Sequence, residues 1–255
     1  MNEGKIFLHL QAVKDEKGGV FFLLIDPDRT PEKKYLTLTE AAGQCGVDAI
    51  LVGSSFMLAS GFSLAVSLIK ESTSLPVIIF PGSFTQVVPG ADAILFTSLI
   101  SGRNPNYLIE EQVRGAPLVK QFGLEVIPAG YMLIDSGMAT SVQYISNTQP
   151  IPRDKYEIAG AHALAAQYLG MKMVYLEAGS GAKLPVPEPM VRSIASYADI
   201  PLIVGGGLTR PEQCSSMIKA GASFVVIGSV IENDPRFTLL SELTEATHPK
   251  KVIMV

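Results

Sequence analysis

The sequence predicts an α/β fold, a (β/α)8 TIM barrel that forms a single domain over residues 1–255. Eight short apolar runs recur along the chain, and each is nearly continuous in Val, Ile, Leu and Phe, as strands covered on both faces are. Segments of helical character lie between most of these runs, which indicates parallel strand pairing. Eight such units in about 250 residues are typical of this barrel. An open, doubly wound sheet is the alternative architecture.

The eight predicted strands and the helical segments between them follow from the same pattern. In chain order the strand runs are GVFFLLID (19–26), DAILVGSS (48–55), PVIIFPGS (76–83), ADAILFTS (91–98), LEVIPAGY (124–131), MVYLEAGS (173–180), PLIVGGGL (201–208) and SFVVIGSV (223–230). Helical segments are predicted at 31–46, 60–73, 153–170, 185–198 and 210–221. Only residues 84–90 separate the third and fourth runs, so this crossover is predicted to be abbreviated.

Composition limits the classes of function. The formal net charge is −4 and the sequence pI is about 5.5, which argues against a nucleic-acid partner, since such a surface is normally basic. Cys45 and Cys214 form no metal-binding or disulfide pattern, and a cytoplasmic location is expected. No secretory signal is visible, and no stretch approaches the ~20 apolar residues of a membrane span. The mean hydropathy of +0.31 is high, which predicts strands buried on both faces, an apolar groove, or both.

Polar residues and glycines gather where the predicted strands end, which is where a barrel of this kind carries its active site. VGGG after the seventh run and IGS after the eighth expose backbone N–H groups without side chains in front of them. Loops seven and eight are the usual phosphate site of the fold, and helix N-termini after them would add to it. These glycines therefore predict a phosphate site. The alternative is that they only make tight turns.

Acidic residues follow the first predicted strand in LIDPDR. A carboxylate at this position suits a hard cation such as Mg²⁺, which prefers oxygen ligands. For Asp26, metal ligation and a turn role stay open, while Asp28 is expected to cap the helix that starts near Pro31. No nucleophile–histidine pair is apparent, and no Lys lies at a strand end, which disfavours covalent hydrolysis and Schiff-base chemistry.

Five motifs together resemble the geranylgeranylglyceryl phosphate synthase family, which includes heptaprenylglyceryl phosphate synthases. They are LIDPD, DAILVGSS, YLEAGSGA, VGGGL and VIGS, and the resemblance runs from about residue 19 to 232. The resemblance implies a Mg²⁺-dependent prenyltransferase. Such enzymes join the 3-hydroxyl of sn-glycerol 1-phosphate to a long prenyl diphosphate and release diphosphate. Geranylgeranyl diphosphate is the expected donor here, and a thirty-five-carbon donor is the alternative.

The resemblance also implies roles for particular residues. Asp26 and Ser55 correspond to the metal positions, although the family's Gly-Gly-Ser is Gly53-Ser54-Ser55 here, and Leu24 stands where one branch has Lys. The implied glycerol phosphate site comprises Tyr175, Leu176, Glu177, Ala178, Gly179, Ser180, Gly181, Gly206, Gly207, Gly228 and Ser229. Glu177 is the expected general base, and Tyr175 is expected to orient the same substrate. The alternative for Glu177 is a buried ion pair with a nearby Arg or Lys.

Other expectations concern the prenyl chain, the partners and competing functions. An apolar groove at the barrel mouth would hold the chain, with Met57, Phe62, Tyr131 and Met132 as candidates, although each also fits a core position. A homo-oligomer is expected, as is a transient membrane contact for product release. The competing functions are another phosphate-binding barrel isomerase or synthase, and a non-catalytic protein that binds a phosphorylated metabolite.

Overall fold

The protein forms a closed barrel of eight parallel strands. The structure is a computed structural model that describes residues 4–58, 60–228, 231 and 237–249. Neighbouring strands pair in chain order, and β8 pairs back to β1. The strands are β1 Val20–Ile25, β2 Ala49–Val52, β3 Val77–Ile79, β4 Ala93–Leu99, β5 Glu125–Leu133, β6 Met173–Glu177, β7 Leu202–Gly205 and β8 Phe224–Ile227. The predicted (β/α)8 barrel is confirmed, and the open sheet is wrong.

Helices follow most strands and surround the barrel. Within the described part of the chain they are α1 Lys5–Lys17, α2 Tyr35–Gln44, α3 Phe62–Glu71, α4 Glu111–Phe122, α5 Ser141–Ser146, α6 Tyr156–Tyr168, α7 Glu188–Tyr197, α8 Pro211–Ala220 and α9 Thr238–Thr247. Between β3 and β4 the structure has only the 3₁₀ turn Phe84–Gln86, so the abbreviated crossover is also confirmed. None of the helices within the described ranges has the length and apolar character needed to cross a bilayer.

Side chains alternate between two apolar layers along each strand, because successive residues of a strand point to opposite faces. On β1, Phe22 packs inside the barrel, whereas Phe21 and Leu23 pack outward against the helices. Helix α1 closes the amino-terminal end of the barrel, where its Phe7 and Leu10 join the inner layer. This helix was not among the segments predicted from the sequence. Among the described residues, α1 therefore covers the inner layer at this end, and the cavity is lined by residues of the strands' carboxyl ends and the loops that follow them.

A buried glutamine fixes the short crossover in place. The side chain of Gln86 is 2% exposed, and its Nε2 donates to the carbonyl of Ser54 at 2.7 Å. Its Oε1 accepts from the backbone N–H of Ser54 at 3.3 Å and of Gly82 at 3.2 Å. One amide group thus joins the loop after β2 to the loop after β3, where a helix would otherwise pack.

A buried charge network holds the amino-terminal end together. The carboxylate of Asp48 lies 2.7 Å from His248 Nε2 and 2.5 Å from Lys17 Nζ, and it accepts from the backbone N–H of Phe21 at 2.7 Å. Burial raises the pKa of Asp48, but the hydrogen bonds and charge of these partners outweigh burial and hold the pKa below its usual value. The network joins α1, β1 and the end of α9, so His248 is a structural residue.

Replacing Asp48 should lower stability in a pH-dependent way. Asp48→Asn removes the buried carboxylate that bonds His248, Lys17 and the Phe21 N–H, which typically costs about 3 kcal/mol of unfolding free energy near pH 7. Because the pKa is depressed in the folded state, this contribution is present above about pH 4 and is lost as the pH falls through the folded value. Urea unfolding at pH 7 and pH 3 measures it, with Asp154→Asn at an exposed ion pair as the control. Equal stability of Asp48→Asn and wild type at pH 7 would contradict the assignment.

Candidate active site

Alternation along β6 decides which residues of the most specific motif reach the cavity. Tyr175 lies in the inner layer, and Glu177, two residues later, also faces inward and lines the cavity. Leu176 and Ala178 are fully buried in the outer layer against the helices. Their side chains do not line the cavity, so of these two residues only the backbone could make the predicted substrate contacts.

Glu177 is a buried carboxylate with an unusual pKa. Its side chain is 6% exposed, and its Oε1 accepts from the backbone N–H of Gly179 at 2.5 Å. Burial raises its pKa to about 6, although the Gly179 N–H and the neighbouring Tyr175 hydroxyl partly offset this. Among the described residues it forms no ion pair, so the buried-ion-pair alternative is wrong. A carboxylate with this pKa suits a general base near neutral pH.

Two glycines make room for these inward side chains. A Cβ at Gly206, which has φ +82°, would lie 2.3 Å from Glu177 Oε1. A Cβ at Gly205 would lie 2.4 Å from the Tyr175 hydroxyl oxygen. The glycines after β7 are therefore required by the residues of β6, in addition to any contact that they make with a ligand.

Aromatic rings form the cavity floor beside Glu177. Phe80 stacks on Tyr175 with ring centroids 5.0 Å apart, and Tyr131 packs against Tyr175 at 5.3 Å. The hydroxyl of Tyr175 is buried and has no hydrogen-bond partner of normal geometry among the described residues. Burial, reinforced by the negative charge of Glu177, raises the pKa of both tyrosines well above the usual value. Both hydroxyls therefore remain protonated donors.

The glycine loops predicted to hold phosphate surround the same cavity. Gly179, Ser180, Gly181, Gly206, Gly207 and Gly228 all line it, whereas Ser229 lies outside the described residues. Gly207 has φ +70°, and a Cβ there would lie 3.1 Å from the backbone nitrogen of Pro185. The two amides that precede α8, of Thr209 and Arg210, donate to the Gln213 side chain. The N–H groups that precede α8 are therefore already bonded within the protein, which leaves the glycine backbone of the β7 loop as the candidate for binding an anion.

The loop after β1 brings a carboxylate and a guanidinium into the cavity. Arg29 Nε lies 3.6 Å from Asp26 Oδ2, and Arg29 Nη1 donates to Ser180 Oγ at 3.0 Å. Burial raises the pKa of Asp26, and hydrogen bonds from Asp28 and Ser54 together with the charge of Arg29 partly offset this. Arg29 was not among the predicted site residues, although it stands in LIDPDR directly after the second aspartate.

Several neighbouring predictions need correction or refinement. Asp28 does not cap a helix: its Oδ2 accepts from the backbone N–H of Leu58 at 2.7 Å and joins the loops after β1 and β2. Ser54 and Ser55 both line the cavity; Ser54 is buried and its side chain helps to lower the pKa of Asp26, while Ser55 is exposed. Within residues 4–58, 60–228, 231 and 237–249, no three His, Cys, Asp or Glu side chains converge as a ready metal cage.

An apolar branch of the cavity runs beneath the short crossover. It is lined by Phe84, Val87, Ile94, Phe96, Leu99, Tyr107 and Gly115. Gly115 of α4 faces the crossover, since a Cβ there would lie 3.4 Å from Val87 and 3.7 Å from Phe84. Of the predicted groove residues only Tyr131 lines the cavity, whereas Met57, Phe62 and Met132 belong to the outer core. The apolar part of the cavity thus lies at β4 and at the crossover between β3 and β4.

A closed (β/α)8 barrel with a buried carboxylate and glycine loops at its mouth belongs to the class of barrel proteins that bind phosphorylated ligands. This chain belongs to the PcrB family, whose family model matches residues 11–247. A geranylgeranylglyceryl phosphate synthase of Pyrococcus horikoshii is 48% identical over 231 residues, which cover 90% of this chain and 89% of that protein. The protein of the same name from Spirosoma linguale is 43% identical over 215 residues, covering 84% and 86%.

Solved structures agree with the sequence relatives. The crystal structure of (S)-3-O-geranylgeranylglyceryl phosphate synthase from Thermoplasma acidophilum, in complex with sn-glycerol-1-phosphate, matches with a TM-score of 0.90 at 37% identity. The match covers 96% of this chain and 99% of that one. The family resemblance predicted from the five motifs is confirmed.

Replacing Glu177 should stabilise the protein at neutral pH. The folded pKa of about 6 lies above the ordinary value of 4.5, so the ionised carboxylate is disfavoured in the fold. The difference of about 1.5 units corresponds to roughly 2 kcal/mol of unfolding free energy. Because the folded pKa is raised, this penalty is absent below about pH 4.5 and complete only above about pH 6.

Thermal unfolding of Glu177→Gln and wild type between pH 4.5 and 7.5 measures this effect. The melting temperature of the variant should gain on that of wild type as the pH rises, whereas exposed Glu16→Gln should show no such trend. A Glu177→Gln protein that loses stability relative to wild type as the pH rises would mean that a cation partners the carboxylate.

Proposed function

We propose that the protein is a prenyltransferase that forms an ether bond between the 3-hydroxyl of sn-glycerol 1-phosphate and a long-chain prenyl diphosphate, with geranylgeranyl diphosphate as the donor. The observation that carries the proposal is Glu177, a buried carboxylate with a pKa of about 6 beside glycine loops and an apolar branch. The names of the relatives and the glycerol phosphate complex of the Thermoplasma acidophilum protein support the choice of substrates.

Glycerol 1-phosphate occupies the polar side of the cavity in this proposal. Its phosphate lies against the backbone of Gly206, Gly207 and Gly228, with Ser229 as a further predicted contact, and its hydroxyls point towards β6. Glu177 Oε2 is not engaged by the Gly179 N–H and accepts the proton of the 3-hydroxyl. The buried Tyr175 hydroxyl, which neighbours Glu177, donates to a substrate oxygen and orients it.

The proposed reaction transfers the prenyl group from the diphosphate to the glycerol 3-oxygen in a single step. The C1–O bond of the prenyl diphosphate breaks, and its electron pair leaves with the diphosphate. The glycerol 3-oxygen forms the new bond to C1, and its proton passes to Glu177. The rings of Phe80 and Tyr131 face this region and exclude water from the allylic carbon while the bond changes.

A Mg²⁺ ion fits the residues at the mouth if it arrives with the diphosphate. Mg²⁺ is commonly held by one or two carboxylates together with substrate phosphates and waters, so a full protein cage is not required. Asp26 would supply the carboxylate and Ser55 a hydroxyl, and both line the cavity. The ion would neutralise the charge that develops on the departing diphosphate.

The apolar branch accommodates the prenyl chain. The crossover between β3 and β4 has no α-helix, and the space beneath it is walled by Phe84, Val87 and Phe96. Burial of the hydrocarbon chain in this branch contributes about 25 cal/mol of favourable free energy per Å² of apolar surface, so long donors are favoured over short ones. Burial of the chain at this flank keeps C1 of the donor at the mouth.

Assay of the purified protein separates this function from the competing ones. Labelled glycerol 1-phosphate, Mg²⁺ and a panel of prenyl diphosphates should yield a lipid-soluble product with long donors. Ligand binding without product for any donor would favour a phosphometabolite-binding protein. Turnover of another sugar phosphate without a prenyl donor would favour a different phosphate-binding barrel enzyme.

Glu177→Gln should lose turnover while keeping substrate binding. The amide has the same size but accepts no proton at working pH, and loss of a general base typically costs about 10²–10⁴-fold in kcat. Wild-type kcat should fall below about pH 6, where Glu177 becomes protonated. Steady-state kinetics and calorimetry with glycerol 1-phosphate measure both effects. A variant that turns over at the wild-type rate would remove Glu177 from the chemistry.

Asp26→Ala should change the metal dependence. Without this carboxylate the Mg²⁺–diphosphate complex loses its proposed protein anchor, so the Mg²⁺ concentration for half-maximal rate should rise at least tenfold, or turnover should cease. A Mg²⁺ titration of the rate, together with a thermal melt, checks that the effect is not unfolding. Asp154→Ala, at an exposed site, is the control. An unchanged Mg²⁺ dependence would place the metal elsewhere.

We further propose that the protein self-associates, contacts a membrane transiently and is located in the cytoplasm. Exposed apolar side chains on α6, its carboxyl-terminal end and α7 support self-association, namely Ile158, Tyr168, Leu169 and Tyr197. Exposed Phe56, Leu58 and Met138 lie in loops at the same end of the barrel as the cavity, which supports contact with a lipid surface during product release.

A further inference from the structure

We infer that Arg29 is a further substrate-binding residue, whose guanidinium exchanges Asp26 and Ser180 for phosphoryl oxygens when a substrate enters. This inference rests on the proposed function in one respect: it takes both substrates to be phosphate esters. The ligand chemistry is a phosphoryl group, supplied either by the monoester of glycerol phosphate or by the diphosphate of the donor.

Arg29 lies between the two regions where those groups are expected. Its Nε is 3.6 Å from Asp26 Oδ2, on the side proposed for the metal and the diphosphate. Its Nη1 donates at 3.0 Å to Ser180 Oγ, on the loop proposed for glycerol phosphate. The guanidinium therefore spans from the loop after β1 to the loop after β6, and it lines the cavity itself.

The charge of the cavity favours a cation at this position. Among the described residues that line it, Arg29 is the basic one, whereas Asp26, Glu111 and Glu177 are acidic. Two phosphate esters entering this cavity meet an excess of negative charge, which disfavours their binding. The glycine loops supply N–H dipoles but no net charge. Arg29 supplies the positive charge that the loops lack.

The present contacts of Arg29 are easily exchanged. Its side chain is 46% exposed, and ion pairs in such positions contribute little, about 0–1 kcal/mol. Ser180 is a neutral acceptor that occupies one of five guanidinium N–H donors. A planar, bidentate fork matches a phosphoryl group better than these two contacts do. An alternative role is a strap that only holds the two loops together.

Titration in metal-free buffer tests the inference directly. Wild type, Arg29→Gln and Arg29→Lys are titrated by calorimetry with sn-glycerol 1-phosphate and, separately, with inorganic pyrophosphate. Loss of a charge-assisted hydrogen bond at a half-exposed site should weaken binding of at least one anion about tenfold in Arg29→Gln, with partial recovery in Arg29→Lys. The anion that is affected identifies the source of the phosphoryl group.

A matched control and a melting curve separate binding from a strap. Arg192→Gln removes another arginine of an exposed ion pair, on α7 and outside the cavity, and should bind both anions as wild type does. A role confined to strapping predicts a lower melting temperature for Arg29→Gln with unchanged affinity for both anions, and that result overturns the inference. Wild type that binds neither anion overturns it too.

Kinetics distinguish failure of this inference from failure of the proposed function. If wild type makes the ether product, Arg29→Gln should raise the KM of the affected substrate more than it lowers kcat. If wild type makes no product but Arg29→Gln still binds anions more weakly, the prenyltransferase proposal fails and the Arg29 assignment stands. Product formation with equal KM values in wild type and Arg29→Gln overturns the assignment alone.

Discussion

The backbone hydrogen bonds that pair β8 with β1 close the sheet, and the position of every proposed site residue depends on that closure. Val20 faces Phe224 and Leu23 faces Ile227 across this seam. Closure forces eight carboxyl ends to share one rim, and it leaves each strand only two directions for its side chains. Residues separated by 151 positions, Arg29 and Ser180, therefore come within hydrogen-bond distance.

Closure also places the carboxylate of Glu177 at a poorly hydrated position on the rim. An inward Glu177 has little water around it, so its charge is costly, and the same low polarity strengthens its attraction for a nearby hydroxyl proton. The glycines after β7 let the carboxylate and the Tyr175 ring occupy a volume that any larger residue would fill. Stability at neutral pH is thus lowered where reactivity is needed, as is common at functional sites.

The local pattern of apolar residues was enough to predict the barrel, whereas contacts between residues far apart in the chain could not be predicted from it. The eight apolar runs located every strand because burial on both faces leaves a compositional trace. The same alternation could have shown that Leu176 and Ala178 point outward. Asp28 appeared to be a helix cap because sequence proximity to Pro31 suggested it, but its partner Leu58 lies across the rim. His248 and Asp48 are 200 positions apart, and no local signal connects them.

The amide of Gln86 has a consequence for how the rim opens. The Gln86 side chain makes two hydrogen bonds to Ser54, in the loop after β2, and one to Gly82, in its own loop after β3, so the two loops cannot separate without breaking both bonds to Ser54. We therefore expect the two loops to open as one cooperative unit in local unfolding, so that their amide hydrogens exchange together. Ser54 belongs to this unit, and its side chain helps to lower the pKa of Asp26, so the unit lies beside the proposed metal ligand. Opening of the crossover between β3 and β4 is then expected to move the loop residues beside Asp26 as well.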